Sequence, residues 1–331
     1  MRKTAFLYLL VIFSITAGFS QSGSNNSSNL NDKLGQIGSG YAQSYLQPIG
    51  DAFGADINSG FFHTAHIESG FHLYFGIKGF AANVPDADKT MSFDYNDPNA
   101  VVTDPTTGLT VYQGPAHVHA QGPSVFGSKD VRGTATFKYT DLTGTHTVTD
   151  STISGLVDAS IIPLGMPQVT VGSIFGTDFT LRYIPSISLG DYGSIGFWGF
   201  GVRHSISQYL GNSIPVDIAV QLAWQSLTIQ DSTGANILKT SAFLANAEVS
   251  KSFSILTLYG ALQKESSSMD ISYKFKSPDG SITEPIAFSL DAKNTFRVVV
   301  GATLGLGPLT LNADYDAGST TIYSGGLGFS F

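Results

Sequence analysis

The 331-residue chain contains no cysteine, which excludes disulfide staples and thiolate metal sites. Charged residues make up only 13% of it, where a soluble domain carries about 25%. Beyond the first twenty residues there is no run of eighteen apolar residues, so helical membrane spans are excluded there as well. What the chain does have is 12% aromatics and 37 glycines. Few charges without helical spans fit a membrane barrel of strands, in which one face of every strand meets lipid. The net charge of -8 argues against nucleic acid or an anionic membrane surface as partner.

The two ends of the sequence agree with that class. Arg2 and Lys3 precede an apolar run from Ala5 to Ala17, and small residues Gly18 and Ser20 lead into Gln21. This predicts a signal peptide over 1–20, cut after Ser20; the run is short for a retained anchor. The last eleven residues read TIYSGGLGFSF. Tyr323, Leu327, Phe329 and Phe331 fall on one face of an extended strand, and Ser324, Gly326, Gly328 and Ser330 on the other. That pattern predicts a closing strand that pairs with an early one near Ser69, because an open edge is not tolerated in hydrocarbon.

Between the ends, residues 21–68 read as a linker and a helical plug. Leu30, Leu34, Ile37, Tyr41 and Tyr45 recur at helical spacing up to Pro48, and Ile49, Ala52 and Phe53 extend the segment. Gly35, Gly38 and Gly40 weaken the helix intrinsically, so it needs packing. The alternative is a short periplasmic helix outside the barrel. Residues 69–331 read as an all-β transmembrane antiparallel barrel. Phe71, Leu73, Phe75 and Ile77 alternate with His72, Tyr74, Gly76 and Lys78. The same period of two returns around Phe179–Tyr183, Trp198–Val202, Val216–Trp224, Met269–Phe275, Phe296–Leu304 and Leu309–Tyr315. Counting such segments predicts about fourteen strands, with twelve as the alternative, and both chain ends on the periplasmic side.

Two stretches break the rule. The apolar parity shifts at Leu227 and Ile229, which predicts a bend or an exit from the bilayer. From Ser252 to Leu262 both parities are apolar, which suggests packing against the helix. Turns are expected at Ser250–Lys251, Ser277–Gly280, Gly305–Pro308 and Tyr315–Ser319. The segment from Asp94 to Asp130 holds four of the thirteen prolines and is expected to be a loop or an extra element near the barrel mouth.

Period-two parity nominates Lys78, Arg182, Arg203, Asp217, Glu248, Asp270, Lys274, Arg297 and Asp314 as lumen-facing. Inside a narrow barrel these must pair or meet water. The plain reading is a structural salt-bridge network; the functional one is a polar channel wall, with Arg182, Arg203 and Arg297 suited to bind a carboxylate. His63 and His66, near Glu68, and His117 and His119 carry a weak metal signal, and no metal or cofactor is expected. His146 near Asp141, Asp150 and Ser151 has no defined triad geometry, no GxSxG elbow occurs, and no enzyme is expected.

The order of a helical segment at Leu30–Phe53 followed by strands from Phe71 resembles the long-chain fatty-acid transporter barrels. The stretch FGVRHSISQYLGNSIPVDIAVQLAW, Phe200 to Trp224, is similar to a strand–turn–strand segment of that family through Gly201, Val202, Arg203 and His204, then Pro215, Val216 and Asp217. This resemblance implies a hatch, fourteen strands and hydrophobic cargo. Through TLRYI at Thr180–Ile184 and GVRH at Gly201–His204, the chain resembles more closely a Bacteroidetes-type outer-membrane β-barrel family of uncharacterised function. The expectation is a porin-like outer-membrane barrel of a Gram-negative bacterium passing a small hydrophobic solute, its partners being outer-membrane lipid and the barrel-assembly machinery, engaged through Phe331. The alternative is a closed structural or adhesive barrel with binding loops.

Overall fold

The computed structural model describes residues 38–103, 109–190, 193–211, 214–276 and 283–331, apart from the side chains at 38, 99, 103, 273–276 and 283–286. The signal peptide, Leu30, Leu34, Ile37 and the Ser277–Gly280 turn lie outside them. Among the described residues one α-helix, α1 (Gly38–Ile57), precedes fifteen strands. The chain divides into two compact units: one holds 38–49, Val84–Ser160 and Ser272–Phe288, the other Gly50–Asn83, Ile161–Ile271 and Ser289–Phe331.

The second unit is a closed antiparallel barrel. Its staves are β1 (His72–Asn83), β6 (Ile161–Ile174), β7 (Thr177–Ser188), β8 (Ser194–Ser205), β9 (Asp217–Gln230), β10 (Asn236–Phe253), β11 (Leu256–Lys276), β13 (Phe296–Leu306), β14 (Leu309–Gly318) and β15 (Ile322–Ser330). Each pairs with the next in that order, and β15 returns to β1 from Tyr74↔Ser330 through Ala82↔Ile322. The barrel therefore has ten strands, which corrects the expectation of fourteen or twelve. Fifteen strands are present, but β2 to β5 pair with one another, and β12 (Thr283–Asp291) pairs only along β11. Local alternation is the same in a stave and in any other half-buried strand.

Large apolar side chains point outward around the staves: Ile77, Leu181, Trp198, Leu222, Val300 and Leu327 are each 45–67% exposed. The inward parity is polar, with Lys78, Gln168, Arg182, Gln221, Gln263 and Arg297 all buried. That inside-out distribution in a barrel without edges is the architecture of an outer-membrane protein, and the outer membrane is where this chain resides. Inward glycines make room for the long polar side chains beside them. A Cβ at Gly326 would lie 2.7 Å from Lys78 Cδ, and the two residues are register partners.

Several local readings are corrected by the ladder. Leu227 and Ile229 keep the inward parity of Ala219, Gln221 and Ala223; β9 stays in register with β8, and its register with β10 shifts only beyond Ile229, between Asn236 and Leu238. The interior face of the strand turns apolar there. Ser252–Leu262 is not one strand but a hairpin turning at Ser254 (φ 58°) and Ile255. A two-residue turn flips the parity, so both faces look apolar when read straight through. Ser250 and Lys251 are still within β10.

The first unit contains a four-stranded antiparallel sheet in sequence order, β2 (Thr90–Thr103), β3 (Thr110–Pro123), β4 (Arg132–Asp141) and β5 (Gly144–Ser154). Asp94–Asp130 is thus mostly strand. One sheet face is apolar, with Val118, Ala120, Ala135 and Phe137 buried. The start of α1 packs in this unit: Tyr41 meets the Phe93 ring edge-on at 6.2 Å, Tyr45 Oη donates to Ser154 O at 2.9 Å, and Val125 N donates to Tyr45 O.

Candidate functional site

The barrel interior is occupied by the chain itself. Residues from Gly50 to Gly70 run along the lumen, and Ala52, Ala55, Ile57, Phe61, Phe62 and Ala65 are all buried. The helix ends at Ile57, and the extended backbone after it offers carbonyls without helical partners. Inward cations take them. Arg182, fully buried, donates Nη1 to Ile57 O (3.1 Å), Nη2 to Ser59 O (2.8 Å) and Nε to Gln168 Oε1 (2.9 Å). Its guanidinium lies 3.7 Å from the Phe61 ring centre. Arg297 donates to Ala55 O (2.8 Å) and Ser59 Oγ and pairs with Glu265 (2.6 Å) and Asp316 (2.8 Å). Arg203 donates to Thr64 O and pairs with Asp178 (2.5 Å) and Glu248 (3.5 Å). Amides complete the set: Gln225 Nε2 reaches Ile57 O at 2.5 Å, Gln263 Nε2 reaches Asn58 O at 3.0 Å, and Gln168 Nε2 reaches Phe61 O at 3.0 Å.

The remaining nominated residues sort themselves. Lys78 is buried and donates to Asn312 Oδ1 at 2.7 Å; Asp314 accepts from Tyr259 Oη at 2.5 Å and Asn312 Nδ2 at 3.0 Å. Asp217, at the start of β9, meets His66 Nδ1 at 3.0 Å. Asp270 is exposed, opposite in parity to buried Glu265, Ser267 and Met269, and accepts from Ser289 Oγ at 2.6 Å. The inward assignment of Asp270 is therefore corrected: the large Met269 is an inward residue, which set the β11 frame one residue out. The Lys274 side chain lies outside the described residues. Sequence reasoning missed Asp178, Glu265 and Asp316. Asp178 and Asp316 share parity with Arg182 and Asp314 and were open to the same rule; Glu265 was hidden by the β11 frame.

The histidine pairs do different things. His63 is half-buried, its ring 4.7 Å from that of Tyr74, whereas His66 meets Asp217 and Glu68. On the polar face of the β2–β5 sheet, His117 and His119 both contact Asp94 Oδ1, at 3.3 and 2.8 Å. The His119 bond holds the Asp94 carboxyl below the usual carboxylate range. This face also carries Asn96, Thr136, Lys138, Thr147 and Thr149 across the ladder. Among the described residues no group of three or more His, Asp or Glu side chains is arranged to hold a metal. His146 bonds Asp141 (3.0 Å) and Thr143 (2.9 Å); Ser151, an odd number of residues on, projects from the other face.

No curated protein matches the chain. Among solved structures, it is similar to the in-vitro folded outer-membrane protein OmpT of Vibrio cholerae in its trimer form: 10% identity over 80% of this chain and 100% of that one, TM-score 0.26. The beta domain of the Bordetella autotransporter Brka matches at 9% identity over 80% and 100%, TM-score 0.30. The translocator domain of the autotransporter NalP from Neisseria meningitidis matches at 10% over 88% and 96%, TM-score 0.29. At such scores the architecture rests on the closed ladder described above. One family model matches residues 1–331, and the chain belongs to that family, the family of unknown function DUF6588.

Proposed function

We propose that the protein is a closed outer-membrane barrel that anchors a binding element, the inserted β2–β5 sheet, and that its barrel is not a solute path. The observation behind this reading is the bonding of Arg182, Arg203 and Arg297 to the backbone at 55–64. Groups that would line a passage are instead spent on holding the segment that fills it. Buried charges satisfied this way are costly to expose singly, so the segment is a fixed part of the fold rather than a loose gate.

The role is non-catalytic. The outward apolar side chains contact outer-membrane lipid, and the strand ending at Phe331 is the segment engaged by the barrel-assembly machinery. The polar face of β2–β5, with Asp94, His117, His119 and Lys138, is the surface offered to a partner. Passive passage of a small hydrophobic solute is the weaker reading, because it requires Gly50–Gly70 to leave or the wall to part. A fatty-acid-transporter-like role also fits poorly, since that resemblance implies fourteen strands and the barrel has ten. Flux of a small apolar dye into proteoliposomes holding the full chain tests the proposal. The expected flux equals that of empty vesicles, and a protein-dependent rise would sink it.

A further inference from the structure

The lumen segment has a direction, and the barrel has two unlike ends. At one end the staves are joined by two-residue turns at Phe175–Gly176, Ser254–Ile255 and Gly307–Pro308, with one longer connection at 206–216. His72 and Ser330, the outer limits of β1 and β15, lie at this end too. At the other end the connections are longer, including 84–160 between β1 and β6 and the β11–β12 extension. Short turns face the periplasm and longer loops face outward in such barrels.

Contacts along the segment advance in one sense. Gly50 lies against Leu290, and Gly54 against Ser267 and Ala292, all at the long-connection end. Ala55 O meets Arg297 at the start of β13; Ile57 and Ser59 meet Arg182 in mid-barrel. Thr64 meets Arg203 and Ser250, and His66 meets Asp217, where β8, β10 and β9 approach the short-turn end. Gly70 O accepts from Ser173 N at that end, two residues before β1 begins.

We infer that the polypeptide enters the barrel from the cell exterior and descends the lumen to the periplasmic side, with Gly50 at the outward end and Gly70 at the periplasmic end. The inference does not depend on the sheet binding anything.

The absence of cysteine permits a direct test in cells expressing the full chain. Single variants Ser39→Cys, Ser232→Cys and Ile255→Cys place a thiol at the start of α1, in the β9–β10 connection and in the β10–β11 turn. All three positions are exposed. With a membrane-impermeant maleimide, labelling of Ser39→Cys and Ser232→Cys is expected to be unchanged by permeabilising the outer membrane. Labelling of Ile255→Cys is expected only after permeabilisation. Labelling of Ser39→Cys that tracks Ile255→Cys overturns the inference, and so does a barrel with Ile255→Cys reactive on intact cells. If Ser39→Cys reacts under neither condition, an epitope inserted before Asn29 decides: antibody binding to intact cells supports entry from the exterior, and binding only after permeabilisation refutes it.

Discussion

Arg297→Met is the sharpest test of the interior network. Arg297 is fully buried and pairs with both Glu265 and Asp316, which are themselves about 1% exposed, with Asp56 buried alongside. Methionine fills much of the space but leaves two buried carboxylates without their cation. Breaking a buried ion pair from one side costs about 3–5 kcal/mol. The Ala55 carbonyl loses its guanidinium donor as well, which adds about 1–3 kcal/mol. Against a total stability of roughly 5–15 kcal/mol, that is a large fraction. Urea unfolding in phospholipid vesicles, followed through the emission of the outward-facing Trp198 and Trp224, measures it. The triple variant Arg297→Met, Glu265→Gln, Asp316→Asn buries no charge at these three positions and is expected to recover most of the loss. A single variant within about 1 kcal/mol of the parent, the range of an exposed pair, would refute the argument, because it would mean that water reaches the trio.

Other predictions concern separate parts of the fold. Gly54→Val sets a Cβ 2.7 Å from Ala292 Cβ and 2.9 Å from Ser267 Cβ. It is expected to cost about 1–3 kcal/mol by overpacking in the same urea assay, and a neutral result would dislodge Gly54 from its place against β11. Truncation at Phe331 removes the backbone pair to Leu73 and a ring 6.1 Å from Phe75; the heat-modifiable folded fraction on gels should fall, and normal insertion would speak against the tail as an assembly signal. In the inserted sheet, Thr143 and then His146 hold the Asp141 carboxyl down at about 2. Because its folded value lies below an unfolded value of about 3.9, its support for the β4–β5 turn is complete above that value and is lost as pH falls through about 2. Carboxyl-carbon NMR of Asp141 should titrate near 2; a midpoint close to 4 would contradict the turn geometry.

What could be read in the sequence was local. The tail's alternation of Tyr323, Leu327 and Phe329 with Ser324, Gly326 and Gly328 is the outward and inward parity of β15, and its partner is the first strand. Arg182, Arg203, Glu248, Arg297 and Asp314 are buried on the polar parity. Pairing was not legible, because which strand lies beside which depends on contacts distant in sequence. Thr134, Thr136 and Lys138 alternate with Ala135, Phe137 and Tyr139 as cleanly as any stave does, yet they belong to a separate sheet. Parity itself failed where a turn was unmarked. Ser254 takes a left-handed φ that glycine or asparagine would have advertised. Met269 looks like a lipid-facing residue and is an inward one. Parity counted from Met269 therefore sets Asp270 on the wrong face. Each buried arginine also takes at least one backbone carbonyl of 55–64, and carbonyls leave no mark in the sequence.

The central claim, that the lumen is filled by its own chain, is tested most directly by single-channel recording in planar bilayers. The full chain is predicted to insert without steady conductance, whereas a variant lacking residues 38–67 opens a persistent channel. A steady channel from the full chain, unchanged by that deletion, would contradict the account.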